Sequence, residues 1–312
     1  MRHLTRRTAL AAAALALLLP AATATARADD PGPEVAVVDG LGFDTCTAPP
    51  LATMRTWWDD SPYEAVGIYL SGSQRACRQP ELTAAWVREV QAMGWRLIPT
   101  HVGLQAPCSA PDSKPRKFDP DRAREQGRQE ADEAVAALTA LGLGQGSPVY
   151  LDIEAYGPAA DPACGAAVVD AAVGWTEELH RAGYLAGFYS SSDSGVRDLV
   201  AAARAGRSPL PDALWYARWD RREDTGGSGA VPDDLWTGHR RIHQYEGDVP
   251  ESWGGVSLSI DRNRLDGPVA VTAGAPDGRS SGHEGARSGM RSGVRPQGPA
   301  AAGEPRTDRP LA

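Results

Sequence analysis

Residues 147–156 read "SPVYLDIEAY", the alternation of a buried β-strand with two carboxylates set into it. Successive side chains of a strand point to opposite faces, so Tyr150, Asp152 and Glu154 share one face while Leu151 and Ile153 share the other. What that strand belongs to follows from its neighbours. Seven more short apolar or alternating segments accompany it: "GLGFDT", "EAVGIYL" and "WRLIPTHV" before it, and "YLAGFYS", "LWYARW", "RIHQYE" and "VSLSID" after it.

Between most of these segments lie helical stretches. Residues 80–93 put Pro80 at the first helical position and Gly94 beyond the last turn, and 121–141 form a long Ala-rich amphipathic run closed by Gly142. Residues 165–181 and 194–205 supply two more. Strands alternating with helices argue for parallel βα units. Eight of them in a chain of this size match an α/β fold, the (β/α)8 TIM barrel, better than an open doubly wound sheet. An open sheet usually carries a ligand fingerprint at its switch point, and no G-x-G-x-x-G or Walker A sequence follows any of these strands. Between "RIHQYE" and "VSLSID" there is no room for a helix, so the last βα unit is expected to be degenerate.

The N-terminus, "MRHLTRRTALAAAALALLLPAATATARADD", has the form of an export signal. Arg2, Arg6 and Arg7 make a positive region, residues 9–19 an apolar stretch too short to span a bilayer, and Ala26-Arg27-Ala28 a cleavage site. Arg6-Arg7 ahead of the apolar run fits the twin-arginine route. Residues 1–28 are thus read as a secretion signal, 29–272 as the barrel, and 273–312, poor in large apolar residues, as a disordered tail. With the ten arginines of the two ends and the four acids of the tail set aside, residues 29–272 keep 22 basic and 36 acidic side chains, a net charge of −14. Such a surface repels phosphate backbones and anionic lipid, which argues against nucleic acid as a partner. No later segment is apolar enough for a membrane span. The expectation is a secreted, monomeric protein of the cell envelope.

In an exported chain the four cysteines, Cys46, Cys77, Cys108 and Cys164, read as disulfides in loops after the first four strands, and none has the C-x2-C spacing of a zinc site. Four cysteines allow three pairings. Neighbouring loops favour Cys46 with Cys77 and Cys108 with Cys164 without deciding it.

In a barrel the active groups come from the C-terminal ends of strands and the loops that follow. Leu151 and Ile153 then face the helices, and Asp152 and Glu154 point at the barrel axis with Cβ atoms roughly 7 Å apart. Two anions so placed repel, and the one in the drier setting is driven to hold its proton. One protonated acid beside one ionised partner is what cleavage of a glycosidic bond requires. An inward acid can instead simply bond to an Arg or Tyr of the next strand, which explains one such acid better than a pair. Asp44 ends the first strand segment and Asp261 the last, and those strands are neighbours in a closed barrel. Either one alone also fits a turn or a cap. Tyr189, Arg218, Gln244 and Tyr245 end the fifth to seventh strands as hydrogen-bond donors to a saccharide. Trp86 and Trp175 fall in helices as packing residues, whereas Trp57, Trp58, Trp219 and Trp253 fall in expected loops or strand ends, where a flat face can stack on a sugar ring. No G-x-S-x-G is present, and His101 and His243 lack metal-type spacing. No metal or cofactor is expected.

At these residues the chain resembles a known family. "GFDTCTAPPLATMRTW", "AVGIYLSG", "GWRLIPTHVGLQAPC", "SPVYLDIEAY", "GYLAGFYSS", "LWYARW" and "RIHQYEGDVPESWGGVSLSIDRNRLDG" together resemble the secreted bacterial glycoside-hydrolase-like domain catalogued as domain of unknown function 1906. The resemblance spans about residues 40–268 and implies a (β/α)8 barrel and export. More distantly, Asp44, the Asp152-x-Glu154 pair, and Gln244-Tyr245 followed by Asp261 and Asn263 are similar to the pattern of family 25 lysozymes, which cleave peptidoglycan. That likeness implies Glu154 as general acid and base, Asp152 as nucleophile or charge stabiliser, and Asp44 and Asp261 as groups that tune charge and hold a cell-wall saccharide. The chain departs from the lysozyme pattern at "TCTAPP" after Asp44 and at His243, where the lysozymes carry Trp.

Overall fold

Eight strands close into one barrel in chain order: β1 (Ala36–Asp44), β2 (Ala65–Ser71), β3 (Arg96–His101), β4 (Pro148–Asp152), β5 (Leu185–Ser191), β6 (Ala213–Ala217), β7 (Arg241–Trp253) and β8 (Val256–Val269). The computed structural model describes residues 35–110, 114–157 and 162–273. The expected signal at 1–28 and the expected tail beyond Ala273 lie outside the described residues. Five helices follow the first five strands: α1 (Leu51–Asp60), α2 (Ala84–Met93), α3 (Ala123–Leu141), α4 (Pro162–Ala182) and α5 (Gly195–Arg204). No helix among the described residues is long and apolar enough to cross a membrane.

The alternation of each strand sorts its side chains into two layers. Val38, Ala65, Ile98, Tyr150, Trp215, Ile242 and Leu265 fill the barrel interior. Leu151 and Ile153 join the larger layer between barrel and helices, with Trp57, Trp86 and Trp175. The face assignment of β4 therefore holds. Above the apolar plug the interior turns polar, and Trp215 spans the change. Its ring packs edge-on against Tyr150 and Tyr189, with centroids 5.7 and 5.1 Å away, while its Nε1 donates to Asn263 Oδ1 at 2.7 Å.

Strands β1 to β7 pair in parallel, as the βα pattern requires. The last strand departs further than a degenerate unit: β8 runs antiparallel to both β7 and β1. A parallel crossover needs a dozen or more residues, whereas only Gly254 and Gly255 separate β7 from β8. Both glycines have positive φ, 56° and 81°, as a two-residue hairpin turn demands. The connection from β6 to β7 also lacks an α-helix and carries a single 3-10 turn at Gly227–Gly229.

Three local expectations need correction. Helix α2 starts at Ala84 rather than at Pro80, because Thr83 caps it by accepting from the Trp86 amide at 3.2 Å. Trp57 and Trp58 lie in α1 rather than in a loop; Trp57 is fully buried against Phe43 at 5.0 Å and donates to the Val256 carbonyl at 3.1 Å. Cys164 lies in the first turn of α4 rather than in a loop. The disulfides are Cys46–Cys77 and Cys108–Cys164.

Candidate active site

Four acids come from three walls of the barrel mouth: Asp44 from the end of β1, Asp152 from the end of β4, Glu154 two residues on, and Asp261 from β8. Asp261 is not at a strand end. It lies within β8, and the antiparallel ladder sets it directly opposite Asp44. That pairing puts two carboxylates side by side. Gly67 on β2 makes room for Asp44: a Cβ there would stand 2.6 Å from that of Asp44.

Asp44 is buried and held by three donors: Tyr69 Oη at 2.8 Å, Asn263 Nδ2 at 2.6 Å and Gln244 Nε2 at 3.3 Å. Burial nevertheless raises its pKa above the ordinary carboxylate value, outweighing the three hydrogen bonds. Asp261 accepts from the Asp248 amide at 2.7 Å and is pushed up to about 8 by burial and by the Asp44 charge. Burial drives Asp152 well above the carboxylate range, and the Glu154 charge adds to it while Lys114 opposes it. Asp152 Oδ1 is buried with no hydrogen-bond partner among the described residues.

Glu154 is held from two sides. Its amide donates to Gln105 Oε1 at 2.8 Å, and Gln105 Nε2 donates to the Asp152 carbonyl at 2.8 Å, so one buried glutamine clamps the whole Asp-x-Glu segment after β4 ends. Its carboxylate forms an ion pair with Lys114, which comes from the loop after β3. Neither Gln105 nor Lys114 is marked by the sequence. Both sit in irregular loop, where no periodicity says which way a side chain points. Tyr69 was open to the alternation rule, since it shares the inward face of β2 with Ala65 and Gly67.

Glu154 lines two lobes of one groove, each of about 360 Å3. The first is also lined by Asp44, Asp152, Asp248 and Asp261 with Arg75 and Lys114. The second is bounded by Tyr189, Ser192, Arg218, Trp219 and Gln244. Gln244 joins them, accepting from Tyr189 Oη at 3.0 Å and Trp219 Nε1 at 3.1 Å while donating to Asp44. Trp219, 43% exposed, presents an open ring at the rim. Tyr245 lines neither lobe: one residue along β7 from the inward Gln244, its ring turns outward toward His243, 6.2 Å away, and is buried.

A larger hollow of about 570 Å3 lies between α4 and α5. Its polar groups are already spent, Asp198 accepting from Tyr156 Oη at 2.6 Å and from Arg197 Nε at 2.9 Å. Among the described residues only His101, Glu130 and Glu133 bring three metal-ligand atoms within 4.8 Å of one another. Both nitrogens of His101 are engaged, with Ser71 Oγ at 2.7 Å and Glu130 Oε2 at 2.6 Å, and the imidazole is fully buried. His243 is likewise satisfied, by the carbonyls of Asp224 and Arg218 at 2.7 and 2.9 Å. The groove around Glu154 is thus the place where unspent chemistry gathers.

The chain is similar to several solved structures. An uncharacterized B. stearothermophilus protein matches with 16% identity and a TM-score of 0.46, covering 72% of this chain and 95% of that one. The modular autolysin LytC from Streptococcus pneumoniae matches with 13% identity and a TM-score of 0.48, covering 74% of this chain and 46% of that one. The catalytic domain of endolysin ply40 from bacteriophage P40 of Listeria monocytogenes matches with 15% identity and a TM-score of 0.44, over 73% and 93%. No curated protein sequence matches the chain. The family model described as Rv2525c-like, glycoside hydrolase-like domain matches residues 55–265, which spans β2 to β7 and most of β8, and the chain belongs to that family.

Proposed function

We propose that this protein is an exported glycoside hydrolase acting on a cell-wall polysaccharide, peptidoglycan being the first substrate to test. The observation that carries the reading is the placement of Glu154 in the lining of both lobes, with Asp152 beside it in the first. A sugar chain lying through both lobes puts one linkage over this pair. Glu154, which touches both lobes, donates to the bridging oxygen. Asp152, deeper and drier, faces the ring as nucleophile or as counter-charge to the oxocarbenium-like state. Substrate binding must bring two changes: lifting Lys114 off Glu154, and moving the Asp152 proton to Glu154, so that the donating acid carries a proton and Asp152 is ionised as positive charge develops nearby. Two disulfides accord with work in an oxidising compartment outside the cytoplasmic membrane.

The Lys114–Glu154 ion pair favours a second reading, a carbohydrate-binding envelope protein that keeps the acidic mouth without turnover. Release of reducing ends from wall polymers separates the two. The hydrolase predicts release by the wild type and a loss of about 10²–10⁴-fold in Glu154→Gln with the circular-dichroism spectrum intact. Equal saccharide binding by both proteins with no cleavage of any wall polymer leaves only the binding reading.

A further inference from the structure

The first lobe holds more carboxyl groups than hydrolysis uses. Five carboxylates line it, from Asp44, Asp152, Glu154, Asp248 and Asp261, against the two cations Arg75 and Lys114. Lys114 is already paired with Glu154, and Arg75 Nη1 donates to the carbonyls of Tyr69 and Leu70 at 3.2 and 3.4 Å. Among the described residues, the buried Asp152 Oδ1 also lacks a donor. Such a lobe asks for a positive guest that brings hydrogen-bond donors. A compact metal ion does not suit it, because these carboxylates nowhere bring three ligand atoms within 4.8 Å of one another. An organic ammonium suits it better: it offers three donors and one charge, whereas an acetamido group offers one donor, one acceptor and no charge.

We infer that this lobe selects amino sugars carrying a free ammonium group, so that the preferred ligand is a partly de-N-acetylated wall polysaccharide. The inference rests on the groove being a saccharide site. Burial and the mutual repulsion of Asp44, Asp152 and Asp261, with Glu154 and Asp248 beside them, make these three carboxyls harder to ionise. An ammonium relieves that repulsion and takes the place of a proton.

Calorimetric titration of the intact protein with glucosamine and N-acetylglucosamine oligomers of equal length, at a mildly acidic pH that keeps the amines protonated, tests it. The expected result is tighter binding of the glucosamine oligomer by about fivefold per engaged ammonium, the worth of one well-placed partly exposed ion pair, shrinking at high salt. Asp248→Asn is expected to reduce the preference. Asp248 has a φ of 55°, which asparagine tolerates, so that variant keeps the local backbone. Equal or tighter binding of the acetylated oligomer, or a preference untouched in Asp248→Asn, overturns the inference and leaves the hydrolase reading standing. A retained preference with no cleavage of any wall polymer does the reverse, supporting ammonium recognition and ending the case for hydrolysis.

Discussion

Asp261 shows what a buried carboxyl costs the fold. Its carboxyl titrates near about 8 in the folded protein against an ordinary value of 3.8, so between those limits the folded state binds more protons than the unfolded one. Stability contributed through this group therefore falls as pH rises through that window. Asp261→Asn is expected to be more stable than the wild type by about 1 kcal/mol at the alkaline end and to lose that advantage toward the acid end. Denaturant midpoints of the two proteins across a pH series measure it; a difference that does not change with pH contradicts it. The same scale decides what could be read in advance. Asp152 and Glu154 declare a shared face by alternation alone, and Asp44 and Asp261 declare themselves as strand-borne acids. Tyr245 misleads because a residue's neighbour in a strand points the opposite way, and Gln244 had already claimed the inward direction. Lys114 was illegible, since the loop that carries it has no period to fix its aim.

At the scale of elements, the strands were the most legible part, because a two-residue period leaves a mark in a handful of residues. Four of the five helices were located, α1 being missed, and the glycine ends of α2 and α3 were legible where the start of α2 was not: Thr83, a local hydrogen-bond acceptor, overruled the proline signal at Pro80. Contact between helices was not readable at all. Gly127 on α3 and Gly174 on α4 sit in helix interiors, where intrinsic propensity favours alanine by about 1 kcal/mol. In the packed protein each faces the other helix's backbone, Gly127 the Ala171 carbonyl and Gly174 the Arg124 carbonyl, so close that any Cβ would collide. Backbone cannot swing aside as a side chain does. Gly174→Ala and Gly127→Ala are expected to lower stability by about 1–3 kcal/mol, the usual cost of overpacking, despite their better helix propensity. Urea unfolding reads the sign directly, and a stabilised variant would mean that α3 and α4 separate freely.

For the whole molecule, closure rests on β8, which joins β7 to β1, while one disulfide ties the loops after β1 and β2 beside the groove and the other ties the loop after β3 to the first turn of α4. Cys46 and Cys77 are 31 residues apart and Cys108 and Cys164 are 56 apart. By the entropy of the loops they close, removing either bridge should cost about 3–4 kcal/mol, the longer one about 0.5 kcal/mol more. Paired Cys→Ala variants, compared by denaturant unfolding, test both the size and the order. By itself the sequence determined the eight strands, the glycine ends of α2 and α3, the inward face of β4 and the acidic balance of residues 29–272, because each follows from local periodicity, backbone freedom or composition. Only the tertiary structure decided that β8 runs backwards, that Asp261 faces Asp44, that Lys114 reaches Glu154 and that Gln105 fixes the segment between the two acids. These depend on which distant segments meet, and side-chain alternation carries no record of its partner.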